Sequence, residues 1–189
     1  PLLLRRAFDK PSWQGELIVF SGNTDCYQPL EAAYSLTRAC LSLCADYRNP
    51  VGIITKGVLV QRDLDVLRRL NQDAWVRVYF SIPFSSDEIA RKVEPQAPSI
   101  AKRFEAMKAL ADAGIPTGIS IAPVIPGLNE GDLPVLLERA YQAGARTAGA
   151  ALLRLSGSVE PVFLERMQAA FPDRIGKIIA RLREGRGGA

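Results

Sequence analysis

The sequence contains no histidine among its 189 residues. This absence excludes a Ser-His-Asp or Cys-His catalytic pair, a histidine-ligated metal and a histidine general base from these residues. Cysteine is also scarce, and its odd count of three argues against a disulfide framework and for a reducing, cytoplasmic compartment. Long apolar runs are missing too: none approaches the roughly 20 residues that span a bilayer, so no membrane helix is expected.

Basic residues exceed acidic residues only slightly, by 24 to 20, which leaves a net charge of +4. The excess is spread along the chain, so it gives only weak support to a nucleic-acid partner. With 48% hydrophobic residues, the composition is that of a globular domain with a sizeable core. We therefore predict a single domain over residues 1–189, with a Gly-rich tail that frays from about residue 184.

Five short apolar runs alternate with helical patterns along the chain. The runs are predicted as strands buried on both faces, at residues 16–21, 51–55, 76–82, 117–124 and 147–153. Helices are predicted at residues 63–70, 98–113, 132–143, 160–170 and 173–183, with another from Pro29 through Cys44 and one near the N-terminus. This alternation predicts an α/β fold with a parallel sheet and right-handed crossovers.

Polar and basic residues follow the predicted strands, at 21–25, 55–56, 81–83, 123–130 and 154–157. Parallel α/β folds bind their ligands beyond the carboxyl ends of the strands. Position alone therefore makes these strand ends the candidate site, and ordinary loops with the same turn residues are the alternative.

Five spaced phrases carry a resemblance to a known family. They are SGNTDCYQPLE at 21–31, LTRACL at 36–41, ITKGVLVQRDLDVL at 54–67, VEPQAP at 93–98 and AGIPTGISIAPVIPGLNE at 113–130. Together they resemble the radical S-adenosylmethionine (radical SAM) superfamily, in particular its spore-photoproduct-lyase-like iron–sulfur oxidoreductases. The resemblance implies a partial (β/α)6 TIM-like barrel, of which this chain would hold strands 2–6 with their helices.

The family's defining CxxxCxxC motif, which ligates a [4Fe–4S] cluster, is absent from this chain. On the family's layout the motif would precede the first apolar run, so the resemblance implies a chain truncated before the cluster loop. Cys40 and Cys44 share one face of the predicted helix and are expected to pack in the core. Cys26 is expected to pack in the loop near the site, so no residue of this chain is assigned as a metal ligand.

The resemblance also implies which residues bind S-adenosylmethionine, which is a zwitterion at its methionine end with ribose and adenine behind. The stretch from Ser21 to Asp25 would meet the methionine ammonium. Gly22 would allow close approach of the backbone, and Thr24 and Asp25 would supply oxygens. The structural alternative is a Gly-Asn turn followed by a capping aspartate.

Basic and hydroxyl residues at later strand ends would bind the rest of this ligand. Lys56 would approach the methionine carboxylate, and Ser81 would bind the ribose or the carboxylate. Arg154 would meet the carboxylate or a substrate. A solvated surface position is the alternative for Lys56 and Arg154, and a strand-end hydrogen bond is the alternative for Ser81.

Two further pairs of residues complete the candidate site. Val124 or Ile125 would contact the adenine. Glu94 and Arg103 would line the substrate site as a carboxylate and its pairing cation, and a purely structural salt bridge is the alternative.

The function implied by the resemblance is the core of a radical SAM enzyme. In such enzymes a reduced cluster cleaves S-adenosylmethionine, and the 5′-deoxyadenosyl radical takes hydrogen from a substrate, here unknown, with an electron donor as partner. The alternatives are a non-catalytic fragment, a cluster-less nucleotide-binding relative and, more weakly, a TIM-like aldolase with Lys56 as the Schiff-base residue. The open edge of the first predicted strand also predicts self-association.

Overall fold

A single parallel sheet organises the chain. The computed structural model describes residues 1–155 and 157–185. Its five strands are β1 (Ile18–Phe20), β2 (Val51–Thr55), β3 (Val76–Ser81), β4 (Thr117–Val124) and β5 (Thr147–Leu152). They lie side by side in chain order, and every neighbouring pair is parallel. The predicted α/β class and parallel sheet are confirmed.

Helices connect successive strands and pack on the sheet. They are α1 (Leu2–Phe8), α2 (Glu31–Tyr34), α3 (Leu36–Asp46), α4 (Leu64–Asp73), α5 (Asp87–Val93), α6 (Ile100–Asp112), α7 (Leu133–Gln142), α8 (Val159–Ala170) and α9 (Ile175–Gly185). Short 3-10 turns at Val58–Asp63 and Glu130–Asp132 lead into α4 and α7. Within the described residues, no helix is long and apolar enough to cross a membrane.

The core lies around the central strands, whereas the two outer strands are open. Ile53 of β2 pairs with Phe20 of β1 and with Val78 of β3, and both Ile53 and Val78 are fully buried. In β5, by contrast, five of the six residues are exposed. The prediction that all five strands are buried on both faces is therefore wrong for the two outer strands, because no residue of β1 is buried and the side chains of β5 are left largely uncovered.

Strand β1 is also shorter than the predicted run of residues 16–21. The side-chain amide of Asn49 donates to the carbonyl of Glu16 (3.0 Å), so backbone pairing begins only at Ile18. The strand ends where Ser21 adopts a left-handed conformation with φ of 87°. β1 forms one edge of the sheet, and the self-association expected at this edge stays a prediction.

The helix predicted from Pro29 through Cys44 is broken in two at Ser35. Ser35 has a positive φ of 50°, and α3 starts at the next residue. The carboxylate of Glu31 accepts the backbone N–H groups of Thr37 (2.9 Å) and Arg38 (3.2 Å), and so satisfies donors in the first turn of α3. A side chain from the preceding helix therefore caps the new one.

Helix α5 was not predicted, although the sequence holds its start and stop signals. Ser86 accepts a hydrogen bond from the N–H of Ile89 (3.5 Å), acidic residues fill the first turn and basic residues the last. At the other end of the chain, α9 continues through Gly185, so Glu184 is helical rather than part of a frayed tail. The remainder of the predicted tail, residues 186–189, lies outside the described residues, as does Ser156 of the last predicted strand end.

A buried carboxylate ties the loop after β1 to the helices beyond β2. Asp63 is fully buried and accepts hydrogen bonds from the Tyr27 hydroxyl (3.0 Å), Arg62 Nε (2.8 Å) and Arg38 Nη1 (3.0 Å). These groups come from three separate segments of the chain. The contacts therefore fix those segments relative to one another.

We expect Asp63→Asn to lower the free energy of unfolding by about 3 kcal/mol, because it leaves two guanidinium groups facing a neutral amide. Urea denaturation measures the change. The matched control is Asp112→Asn, which removes an exposed ion pair with Lys108 and is expected to cost under about 0.5 kcal/mol. Equal effects of the two substitutions would contradict a special role for Asp63.

Glu31 gives the fold a pH dependence on the acid side. Burial raises the pKa of Glu31, but hydrogen bonds from Thr37 N–H, the Arg62 guanidinium and Arg38 N–H outweigh it, and the pKa lies below the ordinary value of 4.5. Stability from this group is thus present above about pH 4.5 and is lost as the pH falls through the folded-state pKa.

We expect Glu31→Gln to destabilise the chain at neutral pH and to flatten the acid side of its stability curve. Denaturation in urea at a series of pH values measures both curves. The exposed carboxylate of Glu105, on α6, offers the control Glu105→Gln. If the free energy of unfolding falls equally steeply with decreasing pH in wild type and in Glu31→Gln, Glu31 is not the source of this pH dependence.

Candidate functional site

The carboxyl ends of β1, β2 and β3 converge on one cavity of about 370 Å³. Six residues predicted to bind the cofactor line it, and the structure therefore brings them together: Ser21, Gly22, Thr24, Asp25, Lys56 and Ser81. Asn23, Ile54 and Thr55 complete the lining. The volume lies within the range of small-molecule sites.

Asp25 fastens the loop after β1 to the end of β2. Its Oδ1 accepts hydrogen bonds from the Thr55 hydroxyl (2.6 Å) and from the Tyr27 N–H (2.9 Å). Its Oδ2 accepts the backbone N–H of Lys56 (2.7 Å). The carboxylate thus holds the loop against β2 and shapes the cavity, and it does not cap a helix, because α2 begins at Glu31 without a side-chain cap. Thr55, its buried partner, was not among the predicted site residues, and its only signal was its position at a strand end.

The rest of the loop opens toward the cavity. Gly22 and Thr24 are exposed, and a Cβ placed on Gly22 would meet no protein atom within 4 Å. Ser21, in its left-handed conformation, accepts the Cys26 N–H through Oγ (3.2 Å). This contact folds the loop back on itself and leaves its tip free for a ligand.

Lys56 belongs to a chain of three charged groups. Its ammonium lies 2.8 Å from Glu94 Oε1, and Glu94 Oε2 lies 2.9 Å from Arg103 Nη2. The ion pair expected between Glu94 and Arg103 is present. Arg103 is only 1% exposed, so it supports the site from beneath rather than lining it.

A second, larger cavity lies on the other side of Lys56. It has a volume of about 650 Å³ and shares Asp25 and Lys56 with the smaller one. Glu94 is part of its wall. The remaining lining is mostly apolar, and includes Tyr27, Pro29, Val58, Leu59, Val93, Pro95 and Pro98. Lys56 therefore stands in the wall between two cavities.

Three predicted cofactor-binding residues lie apart from this site. Val124 is 6% exposed and Ile125 is fully buried in the core. The N–H of Ile125 donates to the buried Asn129 (2.6 Å), which fixes the turn after β4. Arg154 lines a different cavity, of about 810 Å³, together with Arg181 of α9. None of the three lines the cavity at the ends of β1–β3.

The family of the chain follows from its sequence. The sequence profile of the Radical SAM superfamily matches residues 3–140. The chain therefore belongs to the radical SAM superfamily, as the spaced phrases indicated.

Two relatives by sequence are considerably longer than this chain. An uncharacterized protein of Mycobacterium tuberculosis is 31% identical over 185 residues, which are 97% of this chain and 54% of that protein. A radical SAM Nalpha-GlyT isomerase of a Pseudomonas phage is 24% identical over 172 residues, which are 90% of this chain and 35% of that protein. The chain thus spans about half the length, or less, of these relatives.

Solved structures confirm the fold. A spore photoproduct lyase mutant with bound AdoMet and dinucleoside spore photoproduct superimposes with a TM-score of 0.61 at 20% identity, over 84% of this chain and 46% of the lyase. A second lyase mutant gives a TM-score of 0.66 at 17% identity, over 90% of this chain and 49% of the lyase. The fold is therefore similar to that of spore photoproduct lyase.

The family implies two cofactors, and the residues of this chain suit only one of them. A partly exposed ammonium at Lys56 and the exposed backbone at Gly22 around one cavity suit a zwitterion such as S-adenosylmethionine. The cysteines do not suit a [4Fe–4S] cluster. Cys44 is buried in the core, and the described residues hold no group of three His, Cys, Asp or Glu that could bind a metal.

The thiol chemistry agrees with this conclusion. Burial raises the pKa of the Cys26 thiol to about 11 and that of the Cys44 thiol to about 12. While no metal is bound, both thiols are therefore protonated at neutral pH, as expected of cysteines that pack within the protein.

We expect the chain to acquire no cluster on anaerobic reconstitution with iron and sulfide. Iron and acid-labile sulfide per chain should equal those of a matched variant carrying Cys26→Ser, Cys40→Ser and Cys44→Ala. Iron and sulfide that the wild-type chain retains and the triple variant loses would show that these cysteines do bind a cluster.

Proposed function

We propose that this chain is the S-adenosylmethionine-binding core of a radical SAM enzyme. The observation that carries the proposal is the convergence of six expected cofactor residues on one cavity at the ends of β1, β2 and β3, in a member of this superfamily. The family match favours this reading over an aldolase. For the whole protein, the proposal also includes a substrate and an electron donor.

Each group around the cavity has a distinct part in binding. The Lys56 ammonium faces the ligand carboxylate, and the loop tip at Gly22 and Thr24 offers carbonyl and hydroxyl oxygens to the ligand ammonium. Ser81, at the end of β3, donates its hydroxyl to the carbonyl of Ala122 (3.4 Å), the strand-end hydrogen bond given above as its alternative, so only its oxygen is left to accept a hydrogen bond from the ribose. Asp25 keeps the loop against β2, so that these groups stay on one cavity.

The family's cluster supplies reductive cleavage of S-adenosylmethionine to a hydrogen-abstracting radical. In this proposal its ligands are cysteines outside these 189 residues. The three free cysteines fit the reducing, cytoplasmic compartment that this chemistry requires.

A second candidate function is nucleotide binding without radical catalysis. The cysteine pattern favours it, because the chain keeps the cavity but holds no CxxxCxxC. The two candidates differ in product. In the protein as it occurs in its source, 5′-deoxyadenosine formed from S-adenosylmethionine under anaerobic reduction supports the first candidate, and binding without this product supports the second.

We expect the chain to bind S-adenosylmethionine, and Lys56→Met to weaken that binding by about tenfold or more, through loss of a charge-assisted contact. Isothermal titration calorimetry measures the dissociation constant. Decarboxylated S-adenosylmethionine lacks only the carboxylate, so its affinity should change less than about twofold.

Lys108→Met is the control for this substitution, because it removes a surface ammonium on α6 that pairs with Asp112. It should leave the affinity for both ligands unchanged. A wild-type chain that binds neither ligand would overturn the proposal. An equal loss of both ligands in Lys56→Met would show that Lys56 does not meet the carboxylate.

A further inference from the structure

The ammonium of Lys56 is held by a carboxylate that is itself fixed in place. Lys56 is 36% exposed, whereas the Glu94 side chain beside it is only 7% exposed. The 2.8 Å contact between them therefore joins an accessible cation to a nearly buried anion. The main chain of Lys56 is fixed independently, because its N–H donates to Asp25 (2.7 Å).

Arg103 fixes Glu94 relative to the end of β3. Its Nη1 donates to the carbonyl of Ser81 (2.9 Å), and its Nε donates to the carbonyl of Pro98 (2.8 Å). Its Nη2 lies 2.9 Å from Glu94 Oε2, as an ion pair outside hydrogen-bond geometry. The Glu94 carboxylate thus has a defined place between β3 and the Lys56 ammonium.

The charges of this group leave Lys56 available to an anion. Lys56 is the accessible member of this group, and the Asp25 carboxylate beside it already accepts three hydrogen bonds from within the chain. An ammonium has three donors, so an ion pair with Glu94 leaves donors for a second anion. A ligand carboxylate can therefore bind Lys56 without displacing Glu94.

We propose that Glu94 is a positioning residue, which acts through Lys56 by holding its ammonium at the wall of the smaller cavity, where it meets the ligand carboxylate. The inference rests on the proposed function, because it takes S-adenosylmethionine as the ligand. It differs from the expectation that Glu94 acts by lining a substrate site. Glu94 lines the larger cavity but not the smaller one, so it acts on the proposed cofactor site only through Lys56.

A double-mutant cycle tests this role with two ligands. Dissociation constants are measured for S-adenosylmethionine and for its decarboxylated form, with wild type, Glu94→Gln, Lys56→Met and the double variant. Glu94→Gln should weaken binding of S-adenosylmethionine by about fivefold and leave the decarboxylated ligand within about twofold. The double variant should be no weaker than Lys56→Met alone, because Glu94 acts only through Lys56.

The ratio of the affinity for S-adenosylmethionine to the affinity for its decarboxylated form distinguishes a positioning role from partial unfolding. A partly unfolded variant loses both ligands by the same factor, which leaves the ratio unchanged. Glu94→Asp keeps a charged partner for Arg103 but shortens the reach to Lys56 by one methylene. It should reproduce the change in ratio in a fully folded chain. The matched control is Glu88→Gln, on the helix α5 that immediately precedes Glu94, where the partner of Glu88 is the exposed Lys92.

Three results would overturn the inference. If Glu94→Gln and Glu94→Asp weaken the binding of both ligands by the same factor, the role of Glu94 is structural. If the losses of binding free energy in Glu94→Gln and Lys56→Met add up in the double variant, Glu94 acts independently of Lys56. In both cases binding of S-adenosylmethionine by wild type would leave the proposed function standing. A wild-type chain that binds no S-adenosylmethionine would overturn both.

Discussion

The Asp25 carboxylate joins the two chain segments on which the candidate site depends. Three donors converge on it, from the Thr55 hydroxyl and from the main chain of Tyr27 and Lys56. Hydrogen bonds to a charged acceptor are stronger than neutral ones, and three of them restrict the loop far more than one would. Together with the hydrogen bond from Tyr27 to Asp63, this anchor holds the loop after β1 against the end of β2 and gives the cavity between them its shape.

Acidic side chains in this region serve to hold other groups, which leaves a cation exposed to ligand. Asp25 holds a loop, Glu31 caps α3, and Glu94 holds Lys56. Each carboxylate already has partners within the chain, so none of them needs a ligand. Lys56 also has a partner in Glu94, but its side chain is 36% exposed, so its ammonium is the positive charge that remains accessible at the cavity.

The sequence was sufficient to predict the parallel sheet, because apolar runs of β-branched residues and helical periodicity are local signals. It was also sufficient to predict that the residues after β1, β2 and β3 lie near one another, because the carboxyl ends of adjacent parallel strands lie at the same edge of the sheet. It did not predict the break at Ser35 or the anchoring role of Asp25. Both depend on contacts that no local sequence pattern indicates, such as the hydrogen bond that the Thr55 hydroxyl donates to Asp25.

The same physical reasoning explains why Arg154 lies elsewhere. Neighbouring strands are about 4.8 Å apart, so the ends of β1 and β5 are separated by roughly 19 Å along the sheet. Shared position at strand ends therefore predicts closeness only for adjacent strands. Lys56 and Ser81 end neighbouring strands and meet at one cavity, whereas Arg154 follows the strand farthest from β1. The cavity at the ends of β1, β2 and β3 therefore contains residues of neighbouring strands only, and the residues that follow β5 line a separate cavity.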